Sequence, residues 1–241
     1  MTMRVEPATD ATEHLAWSAV WALLSQALAY PTPAAVDQLL GEDLPFATAF
    51  GSVLPPPVAE TLAALPGAFD GLGAEQLEVE HRRLFSHVHS ADCPPFETDY
   101  TARDVWRQSE QLADLAGFFR AFGVEPELER PDHVSVELEF VHVLLYKAAW
   151  AAGGGDADHE ALCLRALASF FRDHVVRWFP SFAERLAVLG ADGPYAAIAQ
   201  LATAAVHAQA EGLGLEIPVP TEPIAPTGDA AAMGEKGLCE G

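Results

Sequence analysis

Apolar residues recur at three- and four-residue spacings through most of the chain. Val20, Leu23, Leu24, Ala27 and Leu28 form the first stripe, which predicts a helix from about Glu13 to Tyr30, stopped by Pro31 and Pro33. Prolines and glycines break residues 33–73 into short helical pieces at about 33–41, 44–51 and 57–65. Helix returns near Ala74 and runs to about Phe85. Val105, Leu112, Leu115, Phe119 and Phe122 mark another, with Thr101 and Asp104 expected as its capping box and Gly123 as its stop. Asp132 is expected to cap the following helix, which runs through VSVELEFVHVLLYKAAWAA to Gly153. Leu164, Leu167, Phe171, Val175 and Trp178 predict a helix ended by Pro180, with a shorter one to Gly190. Ala196, Ile198, Leu201, Ala205 and Val206 predict the last, to about Gly212.

No run alternates with period two, and no fixed-period repeat is visible. The pattern predicts an all-α, single-domain helical bundle of about nine or ten helices. Residues 1–12 are expected to be a flexible N-terminus, 13–213 the helical domain, and 214–241 a mobile Pro/Gly-rich tail.

Charge narrows the function. The chain carries 35 Asp and Glu against 13 Lys and Arg, a formal charge of −22. Nucleic acid and anionic membrane surfaces both require a basic footprint, so neither is an expected partner. A basic partner is attracted. Cys93, Cys163 and Cys239 are odd in number and far apart, so they form no disulfide framework. The N-terminus lacks an apolar signal core, and residues 15–30 are too short and polar to span a bilayer. The expectation is a reduced, cytoplasmic, acidic protein with no membrane insertion.

Candidate chemistry is sparse. Glu78–His81 and Glu139–His142 are Glu-x-x-His pairs, the spacing that di-iron bundles use, with Glu110 and Glu184 as possible further ligands. Their bland reading is solvated helix faces. His87, His89 and Cys93 match no standard zinc spacing, and the acids near Cys93 disfavour a thiolate nucleophile. No nucleotide fingerprint and no GxSxG elbow occurs. No cofactor and no enzymatic activity are expected.

The loop SADCPPFETDY, residues 90–100, is richer in aromatic and acidic groups than a plain linker. Leu84, Phe85, Pro94, Pro95 and Phe96, rimmed by Asp92, Glu97 and Asp99, have the composition of a partner site. Equally, Phe96 and Tyr100 have the composition of a plug for the core. The residues alone leave both open.

Three segments carry a resemblance. Glu80-His81-Arg82-Arg83-Leu84-Phe85 ends one helix, Pro94-Pro95-Phe96-Glu97-Thr98-Asp99-Tyr100 forms the loop, and Pro131-Asp132-His133 leads into Glu137-Leu138-Glu139-Phe140. In order, spacing and setting they resemble the TorD/DmsD/NarJ family of molybdoenzyme maturation chaperones, over about residues 13–212. The loop wording is most similar to chaperones of dimethyl-sulfide, ethylbenzene, selenate and chlorate enzymes. The family pattern has an aromatic where His81 stands and a serine where Thr98 stands.

The resemblance implies a TorD-like helical fold and a cytoplasmic chaperone. It implies partners too: the apo catalytic subunit of a molybdopterin enzyme and that subunit's N-terminal twin-arginine leader, held until cofactor insertion. It implies a leader-binding surface of Leu84, Phe85, Pro95, Phe96, Glu97, Tyr100, Asp132, His133 and Glu137. Glu97, Asp99 and Asp132 are expected to pair with arginines. His133 is expected to orient Asp132. Glu137 and Glu139 point to different faces, so at most one serves the site. The protein is expected to be a monomer or a swapped dimer. A di-metal oxidoreductase using the two Glu-x-x-His pairs and a non-catalytic acidic scaffold are the alternatives.

Overall fold

The computed structural model describes residues 10–85, 93–126, 130–190 and 193–219. The α-helices are α1 (Asp10–Leu28), α2 (Pro33–Gln38), α3 (Leu44–Thr48), α4 (Pro56–Ala68), α5 (Ala74–Phe85), α6 (Thr98–Thr101), α7 (Val105–Ala121), α8 (Val134–Gly153), α9 (Ala157–Phe170), α10 (Val176–Leu189) and α11 (Pro194–Gly212). A π turn, Leu39–Asp43, fuses α2 to α3, and a second, Phe171–Val175, fuses α9 to α10. Counted as continuous rods these make nine, in keeping with the all-α expectation of nine or ten. Among the described residues there is no β-strand, only an isolated antiparallel bridge between Phe96 and His133.

The centre of the bundle is the pair α1 and α8. Both are apolar nearly all round, which demands burial on all sides. Trp17, Val20, Trp21 and Leu24 of α1 and Phe140, Val141, Leu144 and Leu145 of α8 are all buried. Two hydroxyls tie the helices at their polar points. Ser18 Oγ lies 2.8 Å from His142 Nδ1, and Ser25 Oγ donates to the Ser135 carbonyl at 2.8 Å. Around this pair, α9 packs on α8, while α10, α11 and α4 close the other side. Phe119 and Phe170 meet Phe140 edge-on at 4.9 and 4.7 Å between ring centroids. Each fully buried ring contributes roughly 1.5–3 kcal/mol.

Several expected boundaries differ. Pro180 does not end a helix: α10 runs through it, with the proline itself buried. A proline removes its own bond to the carbonyl four residues back and crowds that carbonyl. The helix just upstream is already loosened by the π turn, and the burial of Trp178, Phe179 and Phe182 on either side holds the segment helical. Thr101 does not cap α7. It closes the single turn α6, and Asp104 is the cap, accepting from Arg107 N at 3.0 Å. Nor does Asp132 cap α8. His133 takes that role, its Nδ1 accepting from Ser135 N at 3.2 Å. Gly123 stops α7 as expected, in the left-handed conformation at φ 72. Val124 N then bonds back to the Phe119 carbonyl at 2.9 Å.

The start of the expected tail is not free chain. Gly214 turns at φ 67, Leu215 N donates to the Ala210 carbonyl at 2.9 Å, and Leu215 and Ile217 pack against the core. Residues 1–9 and 220–241 lie outside the described residues. Ending the chain at Leu213 therefore removes apolar contacts. Partial burial of two such side chains is worth about 1–2 kcal/mol, so the melting temperature is expected to fall by roughly 2–8 °C. Replacing Leu215 and Ile217 together by Ser is expected to reproduce that fall, and thermal melts of the two variants check it.

Candidate functional site

The three motif segments converge on one buried polar constellation. Pro94 and Pro95 force an extended backbone and offer no N–H of their own. This lets the loop pair with the chain ahead of α8. The Pro95 carbonyl accepts from Val134 N at 2.8 Å, and Glu97 N donates to the Asp132 carbonyl at 3.0 Å. The short antiparallel contact between Phe96 and His133 follows from these two bonds. It turns Glu97 and Asp132 inward, where both are fully buried.

Each buried carboxylate has a partner from elsewhere in the chain. Glu97 Oε2 accepts from His174 Nδ1 at 2.9 Å. His174 sits in the π turn between α9 and α10, and such a turn commonly marks a position that serves more than helix geometry. Its Nε2 lies 3.3 Å from Asp114 Oδ2, within ion-pair reach but not aligned as a hydrogen bond. Glu137, in the first turn of α8, accepts from the indole N–H of Trp178 at 3.0 Å.

Glu137 also faces Glu97. The Oε1 atoms of both are buried, and neither has an N–H or hydroxyl donor. Two carboxylates in contact in a dry interior cannot both stay ionised. Burial raises Glu137 well above the usual carboxylate range, and the charge of Glu97 raises it further. Glu97 is raised by burial, against the opposing hydrogen bond from His174. Of the two, Glu137 is the one held more strongly toward its neutral form.

Asp132 is satisfied from the other side. Thr98 Oγ1 donates to its Oδ2 at 2.7 Å, and Arg130 donates twice, Nε to Oδ1 at 3.0 Å and Nη2 to Oδ2 at 2.8 Å. Gln108 Nε2 donates to Thr98 Oγ1 at 3.2 Å, fixing the hydroxyl's direction. The hydroxyl of Thr98 thus fills the place of the serine in the family pattern. The Arg130 guanidinium lies over the Phe96 ring, 4.4 Å from its centroid.

His81 fills the place of the family's aromatic. It is buried, with ring centroids 5.4 Å from Tyr30, 4.7 Å from Phe85 and 6.3 Å from Tyr195. Burial lowers its pKa to about 4, so the imidazole is neutral and packs as an aromatic ring. His133 is likewise lowered to about 4, mainly by burial, and meets Phe96 edge-on at 5.3 Å.

The residues expected to bind the leader do not form an open surface. Leu84, Phe85, Pro95, Glu97, Tyr100, Asp132, His133 and Glu137 are all buried, and only Phe96 is half-exposed. Phe85 stacks on Phe182 and Tyr100 leans on Trp178, so the loop is a plug in the core. Arg130, Gln108, His174 and Trp178 belong to the constellation but not to the expected set. Their one signal was local: His174 lies four residues from both Phe170 and Trp178, on an apolar stripe.

The two Glu-x-x-His pairs do not meet. Glu78 accepts from the Tyr30 hydroxyl, His81 lies among aromatic rings, His142 bonds to Ser18, and Glu139, Glu110 and Glu184 are exposed. Among the described residues, no group of three or more His, Cys, Asp or Glu side chains is placed to hold a metal ion. His87 and His89 lie outside the described residues. Cys93 is buried, its thiol 3.9 Å from the Phe182 carbonyl.

Elsewhere, an open groove of about 790 Å³ runs between α5 and the α10–α11 turn, lined by Val79 and Val188 and rimmed by Glu75 and Glu80.

The raised carboxyl gives a pH dependence. The fold binds the Glu137 proton more tightly than the unfolded chain does, where the group titrates near its ordinary value of 4.5. Its stabilising contribution is complete below that value and is lost as pH rises through the raised folded value. His81 and His133 act oppositely: their contribution is present above 6.5 and is lost as pH falls toward about 4. A glutamine at position 137 can still accept from Trp178 and never ionises. In Glu137→Gln the melting temperature is therefore expected to fall less than in the wild type between about pH 5 and 8, while the loss on the acid side is kept. Thermal melts across that range check it. A wild-type profile flat on the alkaline side rules out the protonated carboxyl.

Comparison with known proteins places this constellation in a family. The family model described as "Nitrate reductase delta subunit" matches residues 52–184. A protein named "Chaperone protein TorD" from Vibrio cholerae serotype O1, El Tor Inaba strain, is 30% identical over 138 residues, which cover 55% of this chain and 60% of the relative. The same protein from the Classical Ogawa 395 strain gives the same identity and coverage. The chain thus spans about 60% of the length of these curated relatives. The family match covers more than half of the chain and encloses the motif loop, the start of α8 and the π turn: the chain belongs to the nitrate reductase delta subunit family, that of the TorD and NarJ proteins.

Proposed function

We propose that this protein is a dedicated maturation chaperone, without enzymatic activity of its own, for a molybdopterin oxidoreductase. It binds the apo catalytic subunit in the cytoplasm and holds it for cofactor insertion. It receives the subunit's twin-arginine leader on the face around Phe96. One observation carries the reading: the family match encloses every member of the buried constellation, from Leu84 to Trp178. The charge of −22 supports it, since a strongly acidic surface steers a basic leader toward the protein. So does the chaperone name of the similar proteins. On this reading Leu84, Phe85, Pro95, Tyr100, His133 and Glu137 do not touch the leader. They are the bed that holds Phe96, Thr98 and Asp132 in place.

A titration with a synthetic twin-arginine leader tests it. The wild type is expected to bind, and to bind more weakly as salt rises. Phe96→Ala is expected to weaken binding by roughly 1.5–3 kcal/mol, tenfold or more, if the ring is fully covered in the complex. Val188→Asp, in the groove between α5 and α10, is expected to leave affinity unchanged. If Val188→Asp abolishes binding and Phe96→Ala does not, the leader lies in the groove instead. If no leader binds, and cells lacking the protein keep every molybdopterin enzyme active, the chaperone reading fails.

A further inference from the structure

The contacts of Arg130 form a complete recognition site for a guanidinium group. Both oxygens of Asp132 are engaged, at 3.0 and 2.8 Å, in the fork-to-fork geometry that favours arginine over lysine. Thr98 Oγ1 accepts a third bond, from Nη2, at 3.1 Å. The Phe96 ring supplies a platform 4.4 Å from the guanidinium carbon. Carboxylate, hydroxyl and ring come from two segments locked together by the Phe96–His133 bridge, so the site does not depend on Arg130 for its shape.

The two halves of the pair differ in their freedom. The Asp132 side chain is 0% exposed, whereas that of Arg130 is 44% exposed. A buried carboxylate stripped of its cation is costly, so Asp132 retains a need for a positive group. Arg130 lies in the connection between α7 and α8, outside any helix. Its long side chain can reach into water once another cation takes its place at Asp132. An arginine arriving from outside reforms the same three hydrogen bonds and the same stacking contact, so the exchange is close to neutral for the site itself. The rest of the partner's contacts then decide it.

We propose that Phe96, Thr98 and Asp132 are an arginine-binding site, that Arg130 occupies it in cis as a placeholder, and that an arginine of the bound peptide displaces it. The partner is a peptide with an exposed arginine next to an apolar stretch. This rests on the leader-binding reading above. Because Arg130 competes for its own site, it lowers the apparent affinity for that peptide by the fraction of time the site is closed. Its removal therefore acts in the opposite direction from loss of Phe96.

The experiment uses the full chain with Arg130→Ala and, in parallel, Arg130→Lys, which keeps the charge but lacks the fork. Thermal melts are run with ethylguanidinium at millimolar concentration and with ethylammonium as control. Both variants are expected to melt below the wild type, and ethylguanidinium, not ethylammonium, is expected to raise them while leaving the wild type unmoved. A peptide carrying Arg-Arg before an apolar run is expected to bind Arg130→Ala several-fold more tightly than the wild type. The Lys-Lys version is expected to lose that gain. If neither variant folds alone, helical signal recovered on refolding with ethylguanidinium but not ethylammonium counts for the site, and no recovery counts against it. Equal response to the two ions, or none, overturns the proposal, as does a peptide affinity unchanged by Arg130→Ala. Guanidinium rescue with no leader binding to any form keeps the site and sinks the client reading. Leader binding without rescue does the reverse.

Discussion

Three carboxylates taken out of water govern how this bundle is assembled. Glu97, Asp132 and Glu137 are all essentially buried. An isolated ionised carboxylate in such a place costs several kcal/mol even after relaxation, a large share of a domain's net stability, so each must find a donor, a cation or a proton. Each finds it on a different piece of chain. Asp132 reaches across to Thr98 and Arg130, Glu97 to His174, and Glu137 to Trp178. The motif loop, the start of α8 and the α9–α10 rod are thereby tied at one point. Apolar contacts hold the bundle together, but they tolerate sliding. Directional bonds to buried acids do not, so they set the register in which these pieces dock.

The helices were legible because their apolar stripes are long. α5, α8 and α11 begin and end within a few residues of the positions that periodicity predicts. Local rules failed where tertiary demand overrode them. Pro180 lies inside a helix because the aromatic residues around it are needed in the core. Asp132 is a favourable cap by residue type, yet its carboxylate is spent on Arg130 and Thr98, and the neighbouring His133 caps α8 instead. The three motif segments do meet in the fold, but most of their side chains are buried rather than at the surface. Acids read from sequence are taken as exposed, since most are. What buries these ones is His174 and Trp178, 77 and 41 residues away from their partners, and no local pattern reports such a pairing.

The acidic groups therefore fall into two populations with different reach. Exposed ones such as Glu110, Glu139 and Glu184 contribute to a broad negative field, which salt screens over about 10 Å. Buried ones contribute little at a distance. They act on whatever enters contact range, at full strength because water is absent. The first population therefore acts at long range and the second only on contact.

The π turn at Phe171–Val175 bears on how the chain tolerates changes in length. Such a turn carries one residue more than a regular helix needs, and its backbone bonding is poorer for it. Deleting one of its five residues would repair the local hydrogen bonding. It would also rotate everything downstream by roughly 100° about the helix axis. Trp178, Phe179 and Phe182 would swing away from the core, and His174 or its successor would lose its line to Glu97. A single-residue deletion in this rod is therefore expected to cost the core and the buried acids their alignment, even though the rod's own helix geometry favours the loss.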